Sequence, residues 1–196
     1  VGMRLAICNE LFRGWNPAAV FACARSLGYD GVEVAPFTIA ESVDRVSTDE
    51  RRRLREQAAE HHISIIGTHW LLVSPPGLSA TSPDPEIRHR TASCLVSLVD
   101  FTADIGGDRM VFGSPLQRSV PAGTSRAEAE HRLAETLRPC LRRARERSVT
   151  VCLEPLARRE TDLINTAEEA VAFIRRLGHP NLRLTLDVKA MSDEGR

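Results

Sequence analysis

Val149-Thr150-Val151-Cys152-Leu153-Glu154 and Leu182-Arg183-Leu184-Thr185-Leu186-Asp187 are two short apolar runs, each closed by a carboxylate, with a segment of helical period between them. Apolar runs this short, bounded by polar residues, read as buried strands. An ionised carboxylate is costly to bury unless it is paired or bound to a metal. Two of them at corresponding places in successive β-α units point to one shared hard cation at the mouth of an α/β barrel.

Working outward, the same alternation of short apolar runs and longer helical segments fills the chain, the pattern of βαβ units around a parallel sheet. The spacing predicts strands over Arg4 to Cys8, Gly31 to Val34, Ile63 to Thr68 and Arg109 to Phe112, ahead of the two quoted runs. Asn16 followed by Pro17 opens a helix that Gly28 ends, and Ser47/Glu50 and Ser125/Glu128 read as capping boxes. Asn165 and Glu168 read as the cap of the helix after the fifth strand, and Pro139 should kink or divide the helix that contains it. A Pro/Gly/Ser-rich loop runs from Ser74 to Pro85, before a long helix over Glu86 to Ile105. The arginine-rich stretches Arg51 to Arg55 and Arg142 to Arg147 read as solvated helix faces with partners four residues away.

No GxGxxG or GxxxxGK[ST] follows any of these strands, so a doubly wound nucleotide-binding sheet lacks its phosphate cradle. Polar residues instead gather just after several strands. Glu10, Glu33, His69, Ser114, Glu154 and Asp187 would face one end, where barrel enzymes place their sites. The expected fold is therefore a (β/α)8 barrel in one domain over residues 1–196, with about six of eight units present, since the full barrel needs about 250 residues.

Composition narrows the partners. Twenty-six basic residues balance twenty-six acidic ones, which gives no electrostatic footprint for nucleic acid or an anionic membrane. No apolar run approaches the ~20 residues of a membrane span, and the N-terminus is too briefly apolar for a signal peptide. Cys8, Cys23, Cys94, Cys140 and Cys152 are scattered without a CxxC pair and read as small buried hydrophobes of a cytoplasmic protein. A small molecule is the expected partner, and a homo-oligomer is compatible with this reading.

The segments Asn9-Glu10-Leu11-Phe12, Gly28-Tyr29-Asp30-Gly31-Val32-Glu33, Gly67-Thr68-His69-Trp70, Phe112-Gly113-Ser114-Pro115, Glu154-Pro155-Leu156, Glu160-Thr161-Asp162 and Leu186-Asp187, in this order, resemble the xylose-isomerase-like TIM barrels. Within them the likeness is to the sugar phosphate isomerase/epimerase branch related to ketose 3-epimerases. The resemblance implies one divalent metal, Mn2+ foremost and otherwise Mg2+, Co2+ or Zn2+, bound by Glu, Asp, His and Glu from strands five to eight. Glu154 matches the first ligand and Asp187 the second; the other two would lie beyond Arg196, in a missing C-terminal quarter. Glu160 matches a glutamate that contacts the sugar near its reacting carbon, and His69 falls where strand-three residues line the sugar pocket. A substrate-binding histidine expected three residues after the aspartate is Ala190 here, with Lys189 as a polar substitute.

The chemistry such residues suit is proton transfer beside a sugar carbonyl through an enediolate, with Glu154 as one of two general bases. A keto-sugar or inosose dehydratase would share that intermediate, and a chain with two ligands absent would bind Mn2+ weakly and be inactive alone. Related DNA-repair endonucleases need several metals and a basic groove, against the neutral charge. Each residue also has a plainer reading from the sequence. Glu154 could pair with Arg158 or Arg159, Asp187 could cap the following turn, and Glu160 could be a solvated charge. His69 could be a core histidine, Trp15 could pack over the barrel mouth rather than stack on a sugar, and Glu10 and Glu33 could form internal salt bridges.

Overall fold

Each strand pairs in parallel with the next one in the chain. In the computed structural model, which describes residues 2–192, the strands are β1 Ala6–Cys8, β2 Gly31–Val34, β3 Ser64–Thr68, β4 Arg109–Phe112, β5 Thr150–Leu153 and β6 Leu182–Leu184. They form one sheet in the order β1-β2-β3-β4-β5-β6. A doubly wound sheet reverses its strand order part-way across; here every crossover steps in the same direction, the winding of a barrel wall. The six strands with their helices make up about six of the eight β-α units.

The crossovers are α1 Pro17–Ser26, α2 Thr48–Glu60, α3 Pro85–Asp104, α4 Arg126–Glu146 and α5 Ala167–Leu177, with a short α6 Val188–Met191 after β6. Asn16 caps α1 by accepting from Ala19 N–H, and both capping boxes form, Ser47 with Glu50 and Ser125 with Glu128. Gly28 follows α1 at φ 86°, a left-handed conformation open to glycine at little cost.

Alternation along the strands sorts their side chains. Val32, Val34, Met110, Phe112, Val151 and Leu153 are all at most 2% exposed and join the core. The residues between them, Glu33, Val111 and Cys152, are half-buried on the opposite, inward face. Continuing that period beyond the strand ends carries Gly113, Glu154, Thr185 and Asp187 to the inward face as well, so the pleat itself aims both carboxylates at one place.

Several expectations need correcting. β1 is shorter than Arg4 to Cys8, and β6 stops at Leu184, so Asp187 caps α6 rather than ending a strand. The cap of α5 is Thr166, accepting from Glu169 N–H; Asn165 is buried and donates from Nδ2 to the carbonyls of Leu156 and Thr161. Pro139 does not divide α4, because the helix continues through it on the packing of Leu133, Leu137, Cys140, Leu141 and Ala144. The arginines are only partly solvated: Arg143 and Arg147 reach across from α4 to Asp100 and Asp104 of α3, and Arg51 of α2 also reaches Asp104. No helix among the described residues is long and apolar enough to cross a membrane.

Candidate active site

The inward face opens into a cavity of about 330 Å³ at the C-terminal ends of the strands, lined by Glu10, Glu33, His69, Trp70, Glu154, Glu160, Asp187 and Lys189 among others. All six polar residues placed at the strand ends from the sequence, together with Glu160 and Lys189, thus share one space. Trp15 does not: it is 53% exposed, packs on Phe12 with ring centroids 5.5 Å apart, and lines a neighbouring cavity of about 600 Å³ that shares Glu10.

Glu154 is held from three sides. Its N–H donates to Phe112 O at 3.1 Å, continuing the ladder one step past β5, and its carbonyl accepts from Arg118 Nη2 at 2.8 Å. Its carboxylate lies over Gly113, where a Cβ would collide with Oε2. Burial pushes the carboxyl up to about 7; the Asp187 charge adds to this, Arg118 opposes it, and Glu33 and Glu160 add further. Asp187 accepts from Lys189 N–H through Oδ1 at 2.8 Å, so its plainer role as a cap is fulfilled by one oxygen. Lys189 Nζ reaches Glu160 Oε1 at 3.1 Å, joining two candidate sugar contacts in an ion pair.

On the β1–β3 side, His69 Nε2 lies 2.9 Å from Cys8 Sγ, and its Nδ1 lies 3.6 Å from Glu33 Oε2. Burial lowers the imidazole's proton affinity, with Glu33 and Glu10 opposing. Burial also pushes the Cys8 thiol up to about 12. The loops that carry the site are held in a strained backbone: Trp70, Ser114 and Ile164 all have φ between 44° and 60°, unusual for residues with a side chain and most of all for β-branched Ile164.

Sequence reasoning missed Cys8, Gly113 and Arg118 as parts of the site. Arg118 is fully buried, and burial depresses its proton affinity to about 10 despite the attraction of Glu154. No spacing rule marks it, because it lies in a short turn after β4 and reaches the backbone of a different β-α unit. Gly113 had a signal, a glycine directly after a buried strand, which often means close approach by another group.

The donor set suits a hard divalent cation. The charges of Asp187, Glu33 and Glu160 add to burial in raising the proton affinity of Glu154, and a cation between Glu154 and Asp187 would relieve that repulsion. Residues 21–196 match the model of the xylose isomerase-like TIM barrel family. The chain belongs to that family. Among curated members it is 30% identical over 118 residues to D-psicose 3-epimerase of Ruminiclostridium cellulolyticum, covering 58% of this chain and 40% of that protein. It is 29% identical over 138 residues to ketose 3-epimerase of Arthrobacter globiformis, covering 67% and 47%. The chain thus spans about half the length of the curated relatives it matches. Among solved structures of the same barrel, D-psicose 3-epimerase with D-tagatose from Clostridium cellulolyticum H10 superposes with a TM-score of 0.84 at 22% identity, over 98% of this chain and 66% of that one. A 3-keto-D-glucoside 4-epimerase from E. coli gives 0.81 at 17%, over 98% and 71%.

Proposed function

We propose that this protein is a sugar epimerase of the ketose 3-epimerase type, dependent on a divalent metal that Glu154 and Asp187 help to hold. The observation that carries the reading is the convergence of Glu154 and Asp187, from successive units, with the Glu160–Lys189 pair in one cavity at the strand ends. The names of the curated relatives support the reaction class: epimerisation at C3 of a ketose.

The chemistry is proton transfer at the carbon beside the carbonyl, through an enediolate. When bound, a Mn2+, Mg2+, Co2+ or Zn2+ ion supplies positive charge beside the sugar oxygens. Glu154 takes the proton from C3: its carboxylate stands over Gly113 at the cavity wall, its backbone held from behind by Arg118. Arg118 fixes the Glu154 backbone, so the carboxylate swings only about its own side chain. Glu160 and Lys189 offer an acceptor and a donor to sugar hydroxyls from one wall, and His69 and Glu10 do so from the other. Trp70, 42% exposed beside His69, covers a sugar face and excludes water.

The test is hydrogen exchange at C3 of a ketose in D2O with Mn2+ present, followed by NMR. Deuterium should enter at C3, and Glu154→Gln should slow its entry by about a hundredfold or more. In a protein that carries the third and fourth metal ligands as well as these two, no exchange with any of the four metals, or exchange indifferent to Glu154→Gln, overturns the proposal; loss of water from the sugar would instead assign a dehydratase.

A further inference from the structure

Three side chains on the β1–β3 side of the cavity meet in a way the epimerase reading does not use. Cys8 closes β1, Glu10 lies two residues on, and His69 follows β3; one ligand atom from each lies within 4.8 Å of the other two. Cys8 Sγ lies 2.9 Å from His69 Nε2 and 3.8 Å from its Nδ1, and Glu33 Oε2 lies 3.6 Å from Nδ1. A carboxylate hydrogen-bonded to the far nitrogen fixes the ring and tautomer of a ligating histidine; Glu33 is the carboxylate near Nδ1, at 3.6 Å just outside hydrogen-bond distance, and a small turn of the ring brings it into reach. The sulfur is anchored too, because it accepts from Glu10 N–H at 3.3 Å.

The donor types select the ion. Thiolate, imidazole and one carboxylate suit a thiophilic or borderline cation in a tetrahedral site with one position open, whereas Mg2+ and Mn2+ favour all-oxygen surroundings. Bonds of about 2.3 Å to sulfur and 2.0–2.1 Å to nitrogen place those two atoms about 3.5 Å apart in a tetrahedron. The present contact is shorter and the sulfur stands to the side of Nε2, so Cys8 Sγ must withdraw by about half an ångström and the His69 ring must turn about χ2 to aim Nε2 at the ion.

We propose that Cys8, Glu10 and His69 form a second cation site, oriented by Glu33 and separate from Glu154 and Asp187, for a thiophilic divalent ion of the Zn2+, Co2+ or Cd2+ class. Binding forms a sulfur–metal bond and releases the thiol proton to solvent, with no change of oxidation state. The site stands without the epimerase reading. Where that reading also holds, an ion here withdraws His69 and Glu10 from the sugar, so thiophilic metals and sugar compete.

The test is titration of the metal-free chain with Co2+ and with Cd2+, read by the sulfur-to-metal charge-transfer absorption and by calorimetry. One equivalent should raise the band, Cys8→Ser should abolish it, and His69→Gln should weaken affinity about tenfold or more. Glu10→Gln, at a residue outside the core, should keep the band while weakening binding, which guards against a Cys8→Ser variant that merely folds poorly. The band should persist in a Glu154→Gln/Asp187→Asn double variant, so this result is independent of C3 exchange. No band with the metal in excess, a band that survives Cys8→Ser, affinity unchanged by His69→Gln, or loss of the band in the double variant overturns the proposal.

Discussion

At Gly113 the missing side chain leaves room for the Glu154 carboxylate. A Cβ there would meet Oε2 of Glu154, the far end of a flexible side chain, while its remaining neighbours sit at 3.6 and 3.8 Å. Gly113→Ala should therefore cost little stability, under about 1 kcal/mol, yet displace the carboxylate and weaken Mn2+ binding about tenfold. Thermal unfolding and Mn2+ titration of the same variant separate the two effects. Glu154 itself makes a pH prediction. Its carboxyl is raised from 4.5 to about 7, so the folded chain holds this proton more tightly than the unfolded chain. Stability is then fullest below about 4.5 and declines as pH rises towards about 7, by on the order of 2 kcal/mol after allowing for the water that still reaches the group. Denaturant melts across that window should show the decline in wild type, its loss in Glu154→Gln, and its reversal by added Mn2+; a flat wild-type profile would refute the assignment.

At the scale of elements, the sequence carried the strand–helix alternation because buried strands and capped helices are local patterns. Ser47/Glu50 and Ser125/Glu128 could be read as caps since capping involves residues three apart. Thr166, one residue after Asn165, was not distinguishable in this way: both residues are good caps, and Asn165 is taken up by Leu156 and Thr161 carbonyls that only the folded loop presents. Glu154 and Asp187 were legible as costly acids at the ends of apolar runs, whereas Arg118 and Cys8 depend on contacts between units. The arginine faces fail for the same reason. Asp104 of α3 accepts from Arg51 of α2 at 3.0 Å and also pairs with Arg147 of α4, tying three helices together. Arg51 is 13% exposed in its side chain and also donates to the Val43 and Val46 carbonyls, so it cannot simply turn out to water when Asp104 is removed. Asp104→Ala should destabilise the chain by about 1–2 kcal/mol, less at high salt, while Asp49→Ala, which leaves the exposed Arg52 with Glu56, should stay within about 0.5 kcal/mol. Equal effects would mean that the inter-helix bridge contributes no more than a surface pair.

For the whole molecule, one-directional winding places local stability along the strand order. β2 to β5 each have a strand on both sides, while among the described residues β1 pairs only with β2 and β6 only with β5. Buried rungs run across the sheet: Val32 of β2, Met110 and Phe112 of β4, Val151 and Leu153 of β5 and Leu182 of β6 are all at most 1% exposed. Ala6 of β1 is exposed and Arg183 of β6 is exposed. Opening of an outer strand breaks one ladder, although at β6 it also uncovers Leu182; opening of β4 or β5 breaks two ladders and uncovers the contacts to α3 and α4, which amounts to unfolding the core. Amide exchange should accordingly be slowest at Met110, Phe112, Val151 and Leu153, with protection close to the global unfolding free energy, and fastest in β1 and β6. The site straddles this gradient. Glu154 follows a strand from the stable centre, Asp187 and Lys189 follow an outer one, and Cys8 follows the other. A cation that bridges Glu154 and Asp187 ties β6 to the centre, so Mn2+ should slow exchange in β6 and leave β1 unchanged. Cd2+ bound at Cys8 and His69 should do the reverse, protecting β1 through β3 and leaving β6 as it was. Exchange measured with each metal in turn reads the two sites at opposite ends of one strand order. If both metals protected the same strand, the two sites would have to be one.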